Sequence, residues 1–165
     1  MASARLVLGI IFGIILSVFT IGAFTMWKSF IEIQTYFGTD FMKVLYVLFR
    51  DNFAFEGKDL FSLFMGGSFN MVNLLSPQML SWLLVGFIGG SIAKGLKRGL
   101  LTGIIIVVVD ILLWIVFGIL EGEDMFNLFL DTNALTTIGG IISGLIGGIA
   151  GGCVGGAISG PYEGL

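Results

Sequence analysis

Four long apolar blocks along this chain are separated by more polar stretches. The blocks cover residues 6–27, 76–93, 100–120 and 133–159, and Asp110 is the one charged residue inside them. A helix needs about 20 predominantly apolar residues to cross the hydrocarbon core of a bilayer. The pattern therefore predicts an all-α protein, a single domain over residues 1–165, built as an integral membrane bundle of four transmembrane helices.

Two of the blocks carry further signals at their starts. Ser76 and Pro77 predict the start of the second span, because Ser caps helix N-termini and Pro suits the first helical position. The first block has a second interpretation as a signal peptide, with Arg5 as its basic region and residues 21–23 as a poor cleavage site. We favour a span, because the block is longer than the apolar region of most signal peptides.

The segment between the first two spans, residues 28–75, is predicted to be external. Around residues 40–51 a polar helical face lies opposite an apolar one, which indicates an interfacial amphipathic helix on the outer leaflet or a lid packed on the bundle. The polar face has Asp40, Lys43, Arg50 and Asp51, and the apolar face has Phe41, Val44, Leu45 and Leu48. Residues 60–75 are too short to span and predict a re-entrant turn or a second interfacial helix. The whole segment is expected to cap the bundle, with substrate gating as the alternative.

Orientation follows from the basic residues close to the spans. The turn at residues 94–98 carries three positive charges and no negative one, whereas residues 121–132 carry only negative charges. With four spans, this turn and both termini are predicted to lie in the cytoplasm of a multi-pass cell-membrane protein. Trp27 and the Ser81–Trp82 pair are then expected at the outer interface, and Tyr162 at the inner one.

Composition supports the membrane assignment and limits the chemistry. Of the 165 residues, 56% are hydrophobic and 12% are charged, about half the charge of a soluble domain. The net charge of −3 argues against nucleic-acid binding. There is no histidine and one cysteine, Cys153, so no disulfide can form within the chain and the commonest catalytic base and zinc ligand are missing. We predict no catalytic, cofactor or metal site; the acidic residues at 121, 123, 124 and 131 indicate a solvated loop, with divalent-cation binding as the less favoured alternative.

Small residues recur every four positions in the last block and more briefly in the first two. Such spacing lets helix backbones approach closely inside a membrane. A four-residue repeat also winds around a 3.6-residue helix, so it favours contact with more than one neighbour. We predict that the last helix is buried at the centre of the bundle, with self-association into an oligomer as the alternative. The predicted packing residues are Gly9, Gly13, Gly86, Gly90, Gly140, Gly144, Gly148, Gly152, Gly156 and Gly160, with a parallel row at Gly139, Ser143, Gly147, Gly151, Gly155 and Ser159.

Asp110 lies ten residues from either end of the third block, which places it near the membrane midplane. An ionised carboxylate there is costly, so Asp110 should face inward and be protonated, hydrogen-bonded or ion-coupled. Ser17 and Ser143 lie at matching depth and are its predicted partners. A neutral, hydrogen-bonded Asp110 that joins helices is favoured over a proton or cation site.

The run GFIGGSIAKGLKRGLLTG, followed by the glycine-rich last block, resembles the small, glycine-rich membrane proteins of archaea. The resemblance covers spans two to four and implies no activity and no functional residues.

The chain has many small residues suited to close helix packing and few residues able to carry out chemistry. This predicts a non-enzymatic interaction or accessory subunit that binds membrane lipids and other membrane subunits or itself. The alternative is a small oligomeric channel or transporter that uses Asp110. A membrane enzyme acting on lipids is a distant third hypothesis. A second polar group facing Asp110 at the same depth, stronger than a serine, would discriminate in favour of transport.

Overall fold

The computed structural model describes residues 2–24, 30–53 and 76–160, with side chains except at 2, 3, 21 and 131–133. These ranges are helical and contain no strand, which confirms the all-α prediction for the described residues. The helices are α1 (Ala2–Phe24), α2 (Phe30–Tyr36), α3 (Phe41–Asp51), α4 (Pro77–Ala93), α5 (Leu96–Glu121), a short 3-10 helix (Met125–Phe129) and α6 (Asp131–Ile158). The predictions for Trp27, residues 60–75 and Tyr162 lie outside the described residues.

Three of the described helices are long and apolar enough to cross a membrane. They are Ala4–Phe24 in α1, Leu96–Glu121, and Ala134–Ile158 in α6. Helix α4 is equally apolar but has 17 residues, at the lower limit of the range for a spanning helix. The structure is thus compatible with a membrane protein that has three candidate spans, identified by their length and composition.

Helix ends are set by local sequence signals. The Ser76 side chain accepts a hydrogen bond from the Met79 N–H, and Pro77 opens α4, as the sequence predicts. The turn from α4 to α5 is very short because Gly95 adopts a positive φ of 89°, a conformation that glycine tolerates without strain. Its N–H donates to the Gly156 carbonyl, 3.0 Å away, which ties the basic turn to the end of α6.

The bundle is arranged around α4 and α5. Helix α4 packs against α1, α5 and α6, while α5 also contacts α1 and α3. Helix α6 is enclosed by α4 and α5 on its glycine-rich faces, but it leaves Ile146 and Val154 exposed on the remaining face. The prediction that the last helix lies at the bundle centre is therefore met on two of its faces and is wrong for the third.

Helix α3 exists where the sequence predicts it, with Asp40 as its N-cap. Its buried side chains are Val44, Tyr46, Val47 and Phe49, whereas Phe41 is exposed. The predicted apolar face is thus wrong by about one residue. Burial of Tyr46 and Phe49 widens the inner face, because α3 packs along α5 and also contacts α1 and α2. Of the two predicted arrangements, the described helix corresponds to the one packed on the bundle.

Candidate functional site

The glycine repeat of α6 lies where three helices meet. Gly148 and Gly152 of α6 pack against Gly90 of α4 and Gly103 of α5. A Cβ atom built on Gly103 would lie 2.7 Å from the Gly148 carbonyl carbon, and one built on Gly90 would lie 2.9 Å from the Gly152 Cα. Gly86 of α4 makes backbone contacts with both Gly148 and Gly152, and Gly99 of α5 makes them with Gly152 and Gly156. The helices are therefore in backbone contact, which only glycine permits at these positions.

Three glycines of the parallel row in α6, Gly147, Gly151 and Gly155, pack on α4. A Cβ on Gly147 would lie 2.8 Å from the Trp82 Cβ, and one on Gly155 would lie 2.9 Å from the Ser91 hydroxyl. Gly151 abuts the Leu83 carbonyl between them. The two rows thus serve two neighbours, as a winding four-residue repeat predicts.

Four other predicted packing glycines, Gly9, Gly13, Gly156 and Gly160, have different surroundings. Gly9 of α1 meets the backbone of Gly89, and Gly13 meets the Ile106 side chain. Gly156 abuts the Gly95 carbonyl. Gly160 lies beyond the end of α6 with a φ of 84°, and none of the described residues approaches its Cβ position.

Asp110 lies in the interior, fully buried on α5. The Asn52 side-chain amide donates a hydrogen bond to Asp110 Oδ2 at 2.8 Å, and the same nitrogen lies 3.3 Å from the Ser17 Oγ. Ser17 donates its own hydrogen to the Ile14 carbonyl at 2.8 Å. A carboxyl, an amide and a hydroxyl from α5, the end of α3 and α1 thus form one buried cluster, the Asp110–Asn52–Ser17 cluster.

The end of α3 is anchored so that Asn52 faces Asp110. The Trp82 indole N–H donates to the Asn52 carbonyl at 3.1 Å. The next residue, Phe53, places its ring 5.5 Å from Trp82 and 5.5 Å from Trp114, measured between centroids. Its carbonyl lies against Gly140 of α6. Aromatic packing and one hydrogen bond therefore fix the backbone that carries the amide.

This arrangement corrects two predictions made from the sequence. Trp82 is fully buried and bonded to Asn52 instead of marking the outer interface, because the α3 end covers it; its neighbour Ser81 is buried as well. Ser143 is also buried, but it makes no hydrogen bond to Asp110. Of the two predicted partners, Ser17 belongs to the cluster, and Asn52 takes the place assigned to Ser143.

Two acceptor oxygens in this cluster have no hydrogen-bond partner among the described residues. They are Asp110 Oδ1 and Asn52 Oδ1, both buried. Most buried polar atoms in proteins are hydrogen-bonded, and an unsatisfied one calls for an explanation. Asn52 directs its amide nitrogen to both Asp110 and Ser17, and Ser17 uses its hydrogen on α1. The carboxyl and the amide each therefore have one oxygen that can still accept a hydrogen bond.

Ion pairs lie at both ends of α3. Lys43 near its start pairs with Glu121 at 3.2 Å, and Arg50 in its last turn pairs with Glu32 of α2 at 2.8 Å. The hydrogen bond that Lys43 donates to Glu121 raises the pKa of Lys43 above its ordinary value. Glu121 is thus engaged with α3, and Asp124 caps the 3-10 helix. Among the described residues, no group of three acidic or cysteine side chains is placed to hold a metal ion.

Comparison with known protein families, curated proteins and solved structures finds no match for this chain. Function therefore has to be argued from the geometry of the cluster and of the bundle.

Proposed function

We propose that the chain crosses the cell membrane four times, with both termini in the cytoplasm. The contacts of α4 support its inclusion as a span. Gly89 near its C-terminal end packs on Gly9 near the start of α1, and the short turn after it pairs Gly95 with Gly156 of α6. Helix α4 thus lies antiparallel to α1 and parallel to α6, and it stays against α6 over most of its length. At about 1.5 Å per residue its 17 residues extend roughly 25 Å, close to the thickness of the hydrocarbon core.

The function that this geometry supports best is that of a small, non-enzymatic membrane channel or transporter that uses Asp110. The observation that carries the proposal is the Asn52 amide, which faces Asp110 at the same depth. Ionisable groups inside a membrane are costly, and in known proteins they mark ion pathways, proton relays and ligand counter-ions. A carboxyl with an amide partner and unused acceptor oxygens is suited to such a role.

The glycine contacts weaken the case for an accessory subunit. An accessory role depends on close-packing surface left over for partners. In the described bundle, Gly148 and Gly152 are occupied by α4 and α5, and Gly140 by the end of α3. The remaining face of α6 carries large side chains such as Ile146 and Val154, which lipid can cover.

An interaction or accessory subunit, packed with other membrane subunits or with itself, is the second candidate. It is favoured by a different feature of the same cluster. Asn52 joins α3 to both α1 and α5 through one amide group, which is what interhelical hydrogen bonds do in structural roles. On this hypothesis Asp110 stabilises the bundle and carries nothing. The resemblance to small archaeal membrane proteins agrees with either candidate.

Flux into proteoliposomes tests the two candidates directly. Wild type and Asp110→Asn are compared under imposed pH and Na⁺ gradients, because Asn keeps the size and hydrogen-bonding ability of the side chain but cannot ionise. Glu123→Gln, an exposed acid on the loop after α5, is the matched control. Transport predicts flux in wild type and Glu123→Gln and its loss in Asp110→Asn, with the thermal stability of the variant retained.

Absence of flux in wild-type vesicles under both gradients would contradict the transport proposal. Native mass spectrometry after gentle extraction would then test the second candidate. Co-purified foreign subunits, or a defined homo-oligomer, would support an interaction role. Flux that persists unchanged in Asp110→Asn would show that a pathway exists but that Asp110 does not belong to it.

A further inference from the structure

We propose that Asp110 and Asn52 together bind one small alkali cation, of which Na⁺ is the type, through their two unpartnered oxygens. The inference rests on the proposed transport function in that it names the ion this site would carry. Its support comes from the hydrogen bonds, the charge and the chemistry of the cluster.

The hydrogen bonds show which kind of ligand the cluster lacks. Asn52 points its amide nitrogen at Asp110 Oδ2 and Ser17 Oγ, and the Ser17 hydroxyl donates to the Ile14 carbonyl. What remains is Asp110 Oδ1 and Asn52 Oδ1, two buried acceptors without a donor among the described residues. The Asn52 amide nitrogen and Asp110 Oδ2 are 2.8 Å apart, so the two side chains that carry the unpartnered oxygens are in direct contact. Such oxygens are completed by a hydrogen-bond donor or by a cation, and a cation also neutralises the carboxylate.

The charge of the site indicates a monovalent ion. Asp110 is fully buried, and the side chains that contact its carboxyl, Asn52 and Ser17, are both uncharged. One carboxylate with one monovalent cation is neutral, whereas a divalent cation would leave a net positive charge in the bundle. A net charge in this environment costs several kcal/mol unless it is paired.

The ligand atoms indicate an alkali metal. Every candidate ligand in the cluster is a carboxylate, amide or hydroxyl oxygen, and hard oxygen ligands select hard cations over transition metals. The chain has no histidine, and Cys153 lies far along α6. Complete burial of Asp110, Asn52 and Ser17 also favours a small ion over an organic ammonium group.

Binding is tested on the purified full chain in detergent. The measurements are ²²Na⁺ binding and the thermal unfolding midpoint, with NaCl replaced by N-methylglucamine chloride at constant ionic strength. A ligand that binds the folded state alone raises the midpoint by mass action. We expect saturable ²²Na⁺ binding near one ion per chain and a midpoint that rises with Na⁺ and then levels off. Both responses should disappear in Asp110→Asn and persist in the control Glu123→Gln.

Asn52 is tested by Asn52→Asp and Asn52→Leu. Asn52→Leu removes the second oxygen and should weaken Na⁺ binding at least tenfold. Asn52→Asp retains oxygen ligands and should still bind Na⁺ at a pH where one of the two adjacent carboxyls keeps its proton, which separates loss of a ligand from loss of folding. Competition with Li⁺ and K⁺ gives the preference among alkali ions, and displacement of ²²Na⁺ by either supports the proposal.

Three outcomes would overturn the proposal. The first is no saturable ²²Na⁺ binding by wild type. The second is a thermal midpoint that depends on pH but is the same in Na⁺ and N-methylglucamine, since this would be titration of a buried carboxyl alone. The third is Na⁺ binding that survives in Asp110→Asn. Saturable binding without flux in vesicles would leave this inference standing and remove the transport function, whereas proton flux without Na⁺ binding would do the reverse.

Discussion

Replacing Gly152 by alanine places one methyl group at a close backbone contact between α6 and α5. The added Cβ would meet the backbone of α5, where the Gly99 carbonyl carbon lies 3.0 Å away and the Gly99 oxygen is closer still. Such a separation between a Cβ and a carbonyl carbon is too short for van der Waals packing. Because the obstacle is helix backbone and not a side chain, no rotamer change can relieve it. Helices α5 and α6 would have to move apart.

Two opposing contributions set the size of the effect. Alanine is better than glycine inside a helix by about 1 kcal/mol. Forcing an extra carbon into a well-packed site costs about 1–3 kcal/mol and more where the neighbours are rigid. Separation of the helices also weakens the contacts of Gly148 and Gly156 above and below. We expect a net loss of about 1–2 kcal/mol, which at about 2–4 °C per kcal/mol lowers the unfolding midpoint by roughly 2–8 °C.

Gly118→Ala is the matched control, because it makes the same substitution inside α5 against a yielding neighbour. Its Cβ would meet the Met125 thioether and lie 3.2 Å from the Tyr46 ring, and a methionine side chain can adopt another rotamer. Scanning fluorescence of both variants in one detergent should show a clear loss for Gly152→Ala and little change for Gly118→Ala. Equal midpoints, or a gain in stability for Gly152→Ala, would refute the conclusion that backbone contact at Gly152 stabilises the bundle.

Two further predictions concern the membrane topology and the ion pair at the start of α3. In a Cys153→Ser background, an impermeant thiol reagent applied outside cells should label Glu123→Cys and not Lys97→Cys; the reverse pattern would contradict the proposed orientation. The Glu121 hydrogen bond raises the pKa of Lys43 above 10.5, so any stability that this pair contributes is present below pH 10.5 and lost as the pH rises past the folded-state pKa. Wild type should therefore exceed Lys43→Met in unfolding midpoint at pH 8 and lose that difference at high pH; a difference that is constant with pH would exclude the ion pair as its cause.

The helical elements could be predicted because they depend on local sequence. Long apolar blocks with sharp boundaries, the Ser76–Pro77 start and the polar turn at residues 94–98 all act within a few residues of the helix ends. The rows of small residues also predicted close packing, because residues four apart follow one line around the helix surface, whichever helix packs against it. Which neighbour each row meets was not predictable, because it depends on how α3, α4 and α5 are placed around α6.

Asn52 is the residue that sequence analysis missed. It follows a short amphipathic helix and comes directly after the charged residues Arg50 and Asp51, so its surroundings in the sequence indicate an external position. Ser17 and Ser143 were the predicted partners because they are polar residues inside the apolar blocks that lie close to the depth of Asp110. The end of α3 instead brings a residue from outside the blocks to the same depth. The local signal that remains is the change from polar to aromatic at Asn52–Phe53, where the chain turns into the core.

The row of glycines from Gly140 to Gly160 and the Asp110–Asn52–Ser17 cluster depend on each other. In the C-terminal half of α6, the row holds α5 against α6 through Gly148 and Gly152. In the N-terminal half, Gly140 accommodates the Phe53 carbonyl and Gly144 lies against the Trp82 indole, 3.1 Å from its nitrogen for an added Cβ. Those two contacts position the residues that hold the Asn52 backbone. Any side chain at Gly140 would push Phe53 outward and withdraw the amide from Asp110, leaving a buried carboxyl without its donor. The same repeat that closes the bundle in the C-terminal half of α6 therefore positions the polar site from its N-terminal half, and the site requires glycine at positions that touch neither Asp110 nor Asn52.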